Sequence, residues 1–211
     1  TLDFSLLKKT DKQLQVLGNF GRPLGGDIIT EQLIRDHILP KMGMSADNLT
    51  RLRSRHNYLE DLIPDILNWR TTYMLNQPKY FMQIDEAIRV LPEEAENLNR
   101  IRLLIVQNYS YNLFYAAETA KKRLTEFRET TIDMPPLGID FTITQRDLEE
   151  SLHDYLALVE SSIYSFCAEH GYETTRVGRV LLTGGTSLIP CIRGRMERLF
   201  PGKVVAIDPF L

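Results

Sequence analysis

The chain is predicted to be an α/β protein. Strand patterns occupy its two ends, helical spacings dominate its middle, and an apolar strand near the C-terminus runs into a Gly-Gly turn. Leu2, Phe4 and Leu6 alternate with polar residues, and residues 177–183 and 204–207 form short apolar runs, both of which are strand signatures. Between them, apolar residues recur every three or four positions, the period of a helix with one buried face. The sum is a β-sheet subdomain with flanking helices, interrupted by an inserted, mostly helical α+β subdomain.

Taken in order, residues 2–7 and 13–17 predict a hairpin turning through Lys8–Lys12. Residues 18–26 read as a glycine-rich loop. Asp27 opens a helix with Ile28, Ile29, Leu33, Ile34 and Ile38 in register, ended by Pro40 and Gly43. Residues 44–97 predict helices punctuated by Pro64, Pro78 and Pro92, with Trp69, Tyr73, Tyr80 and Phe81 adding aromatic weight. Residues 97–128 predict one long helix with a stripe of Leu103, Val106, Leu113, Ala117, Ala120, Leu124 and Phe127. Residues 130–133 and 139–143 predict a strand pair. Thr144 and Asp147 then fit the start of a helix that should run from Gln145 to about Glu169 and stop at Gly171. The strand over 177–183, the Gly184-Gly185 turn, a helix over about 189–200 and the strand over 204–207 complete the chain.

The composition is that of an ordinary globular domain, with 211 residues, 43% apolar, 25% charged and a net charge of −3. That charge gives no reason to expect nucleic acid or an anionic membrane as partner. Two cysteines, Cys167 and Cys191, lack metal-ligand spacing and read as reduced thiols in a cytoplasmic setting. No apolar run approaches the roughly 18 residues of a membrane span. His37, His56, His153 and His170 are scattered without a paired-ligand spacing, so no metal site is expected. The chain starts in a strand pattern at Thr1 and stops just after another, which reads as a piece of a longer protein.

Four groups of residues could carry chemistry. The segment Val180 to Pro190 puts Gly184, Gly185 and Thr186 between an apolar strand and a helix start, where bare backbone can approach a ligand. Glu118, Lys121, Lys122 and Thr125 fall at i, i+3, i+4 and i+7, on one helix face apart from the apolar stripe. A carboxylate there can accept from ribose hydroxyls, and ammonium groups can face phosphate. A solvated face with ion pairs worth a few tenths of a kcal/mol accounts for the same residues. Gly25 and Gly26 precede a helix and could turn amides toward phosphate, or simply make a turn. Asp3, inside an apolar strand, is either a satisfied structural acid or a neighbour of metal or phosphate.

The order of these groups resembles the second half of the ATPase domain of the heat-shock protein 70 (DnaK-type) chaperones, over nearly the whole chain. Thr1 to Ser5 is similar to the strand after the family's second phosphate loop. Leu24-Gly25-Gly26-Asp27 is similar to its Leu-Gly-Gly-Glu turn, and Glu118 to Thr125 to its Glu-x-Ala-Lys-Arg-x-Leu-Ser helix. Gly138-Ile139-Asp140-Phe141 is similar to its Gly-x-Asp-Phe strand, and Thr183 to Pro190 to its Val-Gly-Gly-Ser-Thr-Arg-Ile-Pro motif. Three positions depart. Leu188 stands where the family has an arginine on adenine, Lys122 where it has arginine, and Phe210 where it has aspartate.

The resemblance implies lobe II of an actin-like (ribonuclease H-like) ATPase domain from a divergent bacterial-type chaperone involved in stress response. It implies one subdomain from residues 1–43 and 153–211 and a second from 44–152, enlarged near 44–97, with adenosine between them. Glu118 and Lys121 would hold ribose, Lys122 and Thr125 would flank adenine, and Leu188 would lie on the base. Gly25 and Gly26 would approach the phosphates, Gly184, Gly185 and Thr186 would line adenosine, and Thr1 and Asp3 would lie near phosphate or metal. ATP or ADP is the implied ligand, with Mg²⁺ in the full-length protein, and co-chaperones and clients are the implied partners. The first phosphate loop and its lysine are not in the chain, so no catalytic residue is expected here and no hydrolysis by the chain alone. Another actin-like ATPase, such as a filament protein or sugar kinase, or a degenerate nucleotide fold kept for protein interaction, are the alternatives.

Overall fold

A computed structural model describes residues 1–11 and 13–207. The expectation about Phe210 lies outside the described residues. The chain has mixed α and β structure. Among the described residues the strands pair into three separate two-stranded sheets, and the backbone divides into two compact units. The first comprises Thr1–Ile29, Leu124–Arg128 and Thr144–Leu211, and the second Thr30–Arg123 and Glu129–Ile143.

In the first unit, β1 (Leu2–Lys9) and β2 (Leu14–Arg22) form the expected antiparallel hairpin, with Phe4 opposite Phe20, but residues 18–22, expected as loop, belong to β2 because they pair with Leu2–Leu6. The register slips between Leu6 and Leu7, a bulge that leaves Leu17 without an opposite residue. Phe4 and Phe20 meet Phe166 at centroid distances of 6.3 and 6.0 Å, and His170 sets its ring edge-on to Phe166. Glycine is required at Gly18, because a Cβ there would lie 2.0 Å from His170 Nε2. Asp3 is exposed on the outer side of β1. Strand alternation turns it away from the side that carries Phe4, so the burial cost raised by the sequence does not arise.

The capping box at Thr144 and Asp147 forms as expected, but the helix it starts is not continuous. Helix α7 (Gln145–Ser151) ends at Leu152, and α8 (His153–Glu169) follows, closed by Gly171 at φ 72°. Strand β5 is only Val180–Leu182, shorter at both ends than the strand expected over 177–183, and a 3₁₀ turn at Thr174–Arg176 precedes it. It pairs in parallel with β6 (Val204–Ala206) across helix α9 (Pro190–Leu199). Leu181, Val205 and Ile207 remain 41–54% exposed.

Helix α1 (Gly26–Leu33) leads into the second unit, where the chain continues through a π turn, Ile34–Ile38, and a 3₁₀ turn, Leu39–Met42. Gly43 at φ 81° stops this run, as its position after Pro40 suggested. Residues 44–97 are helical as expected. They hold α2 (Ala46–Arg53, capped by Ser45), α3 (Ile63–Leu67), α4 (Pro78–Val90) and intervening 3₁₀ turns. The long helix predicted over 97–128 is two helices, α5 (Ala95–Val106) and α6 (Ser110–Arg123). Asn108 breaks it with φ 55°, a left-handed backbone that asparagine tolerates. The predicted stripe therefore holds only in its middle and fails at both ends. Leu113, Ala117, Ala120 and Leu124 are buried, whereas Val106 and Phe127 are 48% and 52% exposed. The buried face of α5 is instead Leu98, Ile101, Leu104 and Ile105. Strands β3 (Glu129–Met134) and β4 (Ile139–Thr144) pair, joined through Gly138 at φ 61°.

Candidate functional site

The second unit contains a built polar cluster at the junction of α1 and α6. Thr30 is fully buried on α1 and donates its hydroxyl proton to Glu118 Oε2 at 2.6 Å. Lys121 Nζ donates to the same Thr30 oxygen at 2.9 Å and lies 2.5 Å from Glu118 Oε2. The Lys121 residue is only 7% exposed, and an ammonium at that depth needs an ionic partner and hydrogen-bond acceptors, which Glu118 and Thr30 supply. Lys122 Nζ stands 3.4 Å from the other carboxylate oxygen, Glu118 Oε1, and is 73% exposed.

Helix geometry explains the grouping. Glu118, Lys121 and Lys122 sit at i, i+3 and i+4, one turn apart, so all three reach the same edge of α6. Partial burial of Glu118 opposes its ionisation. The hydrogen bonds from Lys121 and Thr30, with the charges of Lys121 and Lys122, outweigh that and hold its carboxyl below the ordinary 4.5. The result is a locked carboxylate with Oε2 shared by two donors and Oε1 turned toward the exposed Lys122. Thr125 does not share the helix with these residues. Helix α6 ends at Arg123, and the Gln145 side chain donates to the Leu124 carbonyl just beyond it.

In the first unit, the glycine turns differ in character. Gly25 is tightly hemmed, since a Cβ there would lie 2.5 Å from the Thr1 backbone nitrogen. The preceding carbonyl, Leu24 O, accepts a 3.0 Å hydrogen bond from Tyr155 on α8. Thr1 donates to Asp3 Oδ2 at 2.9 Å, so Thr1, Asp3 and Gly25 gather at the start of β1. Gly184 adopts φ 88°, and a Cβ on Gly184 or Gly185 would meet nothing within 4 Å. Their backbone faces open space, as close approach of a ligand requires. Thr186, the buried Ser187 and half-buried Leu188 form one 3₁₀ turn before Pro190 starts α9, and Ser187 donates to the Gly184 carbonyl at 2.7 Å.

Two site features escaped the sequence reading. Thr30 lies 88 residues from Glu118, and a threonine inside an amphipathic helix carries no local signal. Tyr155 lay in the apolar register of its helix, and its hydroxyl contact depends on where Leu24 folds. Both cysteines are free. Burial, followed by the Glu149 charge, pushes the Cys191 thiol up to about 11, against nucleophilic use. An open groove of about 280 Å³ in the second unit, lined in part by Tyr109, Tyr115 and Asp133, contains none of the residues singled out from sequence. Among the described residues no cluster of three or more His, Cys, Asp or Glu could hold a metal, and no helix is long and apolar enough to cross a membrane.

No protein-family model matches the chain. Among curated proteins it is 25% identical over 140 residues to the chaperone protein dnaK of Guillardia theta, covering 58% of this chain and 22% of that protein. It is 28% identical over 96 residues to the chaperone protein DnaK of Mycoplasmoides gallisepticum (strain R(low / passage 15 / clone 2)), covering 42% of this chain and 16% of that protein. The matches thus span less than a quarter of these relatives' length. The chain has mixed α/β structure and distant, partial similarity to DnaK-type chaperones.

Proposed function

We propose that this chain is the adenine-nucleotide-binding part of a heat-shock-70-like chaperone ATPase, corresponding to lobe II of an actin-like domain. The observation that carries the reading is the Thr30–Glu118–Lys121 cluster. It holds Glu118, the residue that the resemblance assigns to ribose, as a fixed carboxylate. The donor set fits the ligand: Glu118 Oε1 can accept from ribose hydroxyls, and exposed Lys122 can lie against the base. Gly184, Gly185, Thr186 and Leu188 would line adenosine, and Gly25 and Gly26 would offer backbone to phosphate, with Thr1, which donates to Asp3, close to Gly25. Thr125 is the proposed further neighbour of adenine. Bound Mg²⁺ would supply charge neutralisation at the phosphates in the full-length protein. Residues 1–43 with 153–211, and 44–152, are the proposed counterparts of the two subdomains. Co-chaperones and clients are the proposed partners, and the cytoplasm the proposed location.

Isothermal calorimetry of the chain with ADP tests this reading. The expected result is saturable binding that Glu118→Ala and Lys121→Ala abolish. Absence of heat with ADP and ATP, for a chain shown to be folded, would overturn it. Turnover is not expected from the chain alone, because the resemblance assigns the phosphoryl-transfer groups to the other half of the domain. A second reading, a degenerate fold used for protein interaction, draws on the exposed apolar Leu181, Val205 and Ile207. The same calorimetry separates the two.

A further inference from the structure

We infer that Thr30 is a specificity-positioning residue, whose hydroxyl aims Glu118 so that the chain prefers ribonucleotides over their deoxy counterparts. This rests on the nucleotide reading above. The Thr30 hydroxyl is the hub of the cluster: its proton goes to Glu118 Oε2, and its oxygen takes a proton from Lys121. A hydroxyl is suited to that place because it donates and accepts at one atom. With Oε2 occupied by Thr30 and Lys121, the carboxylate cannot rotate freely, and Oε1 is the oxygen left to accept from a sugar hydroxyl.

Removing the hydroxyl removes the bridge. Lys121 loses one acceptor at a site only 7% exposed and keeps its contact with Glu118. Glu118 loses one of the two donors holding Oε2, so its plane is no longer set. Thr30 lies under the carboxylate, on a different helix, and it is a positioning residue rather than a ligand contact.

The test compares ADP with its 2′-deoxy and 3′-deoxy forms on the wild-type chain, Thr30→Val and Thr30→Ser. Loss of a hydrogen bond to a charged acceptor should make wild type prefer ADP over one deoxy form by about tenfold or more. Thr30→Val, nearly isosteric, should shrink that ratio below about threefold, and Thr30→Ser should restore it. An equal fall in affinity for all three nucleotides would mean a purely structural role and would overturn the inference. A carbon-detected pH titration of the Glu118 carboxyl needs no nucleotide. Thr30→Val should raise its midpoint toward the ordinary value, and Thr30→Ser should not. If wild type binds no nucleotide, the functional reading fails while this titration still decides the positioning claim. An unmoved midpoint overturns it.

Discussion

Lys121 offers the sharpest test of the cluster. Lys121→Met keeps the aliphatic stem packed on α6 and deletes the ammonium, which lies 2.5 Å from Glu118 Oε2 and 2.9 Å from Thr30. Breaking a fully buried ion pair from one side costs about 3–5 kcal/mol, because a charge is left without its partner. Glu118 keeps 23% side-chain exposure and the Lys122 ammonium at 3.4 Å, so water and a second cation absorb part of that. A loss of about 2 kcal/mol is therefore expected, which for a chain of this size lowers Tm by roughly 4–8 °C. Urea and thermal unfolding followed by circular dichroism read it. The double substitution Lys121→Met with Glu118→Gln should recover part of the loss, because the stranded carboxylate is gone. A single-variant loss under about 0.5 kcal/mol would refute the reasoning, since exposed pairs contribute that little.

Three further outcomes follow from the same structure. The lowered Glu118 carboxyl contributes stability that is full above the ordinary carboxylate value and is lost as pH falls through its folded value. The stability gap between wild type and Glu118→Gln should therefore be constant near neutrality and close on acidification below about pH 4.5, and a gap that widened there would contradict it. Thr144→Ala removes both hydroxyl contacts of the capping box and should cost about 1 kcal/mol in urea unfolding, with no measurable change counting against the cap. Gly18→Ala should destabilise by about 1–3 kcal/mol, since its Cβ would fall 2.0 Å from His170 Nε2, and pairing it with His170→Ala should relieve most of the loss.

Local chemistry was legible in the sequence wherever residues close in the chain do the work. The hairpin at β1–β2, the capping box at Thr144, the stops at Gly43 and Gly171 and the short apolar strand before Gly184-Gly185 were all readable, though the hairpin's second strand runs further than its pattern showed. So was the grouping of Glu118, Lys121 and Lys122, because helix periodicity alone puts them on one edge. What failed were continuities. Asn108 splits one predicted helix and Leu152 another, and an unbroken apolar register cannot reveal a single residue leaving the helical region. Thr125 fell off its expected helix because α6 ends at Arg123, short of the predicted end.

By itself the sequence determined the mixed α/β composition and the helical middle. Those properties depend on side-chain volume, periodicity and turn chemistry within a few residues. Only the tertiary structure decided that Thr30 meets Glu118 across 88 residues, that Tyr155 holds the Leu24 carbonyl, and that Asp3 points outward. Such contacts join residues distant in the chain through helix and strand packing, and no local pattern encodes them. The cluster's electrostatics follow from that packing. An ammonium and a carboxylate that would be a weak surface pair become a locked unit once a buried hydroxyl lies beneath them.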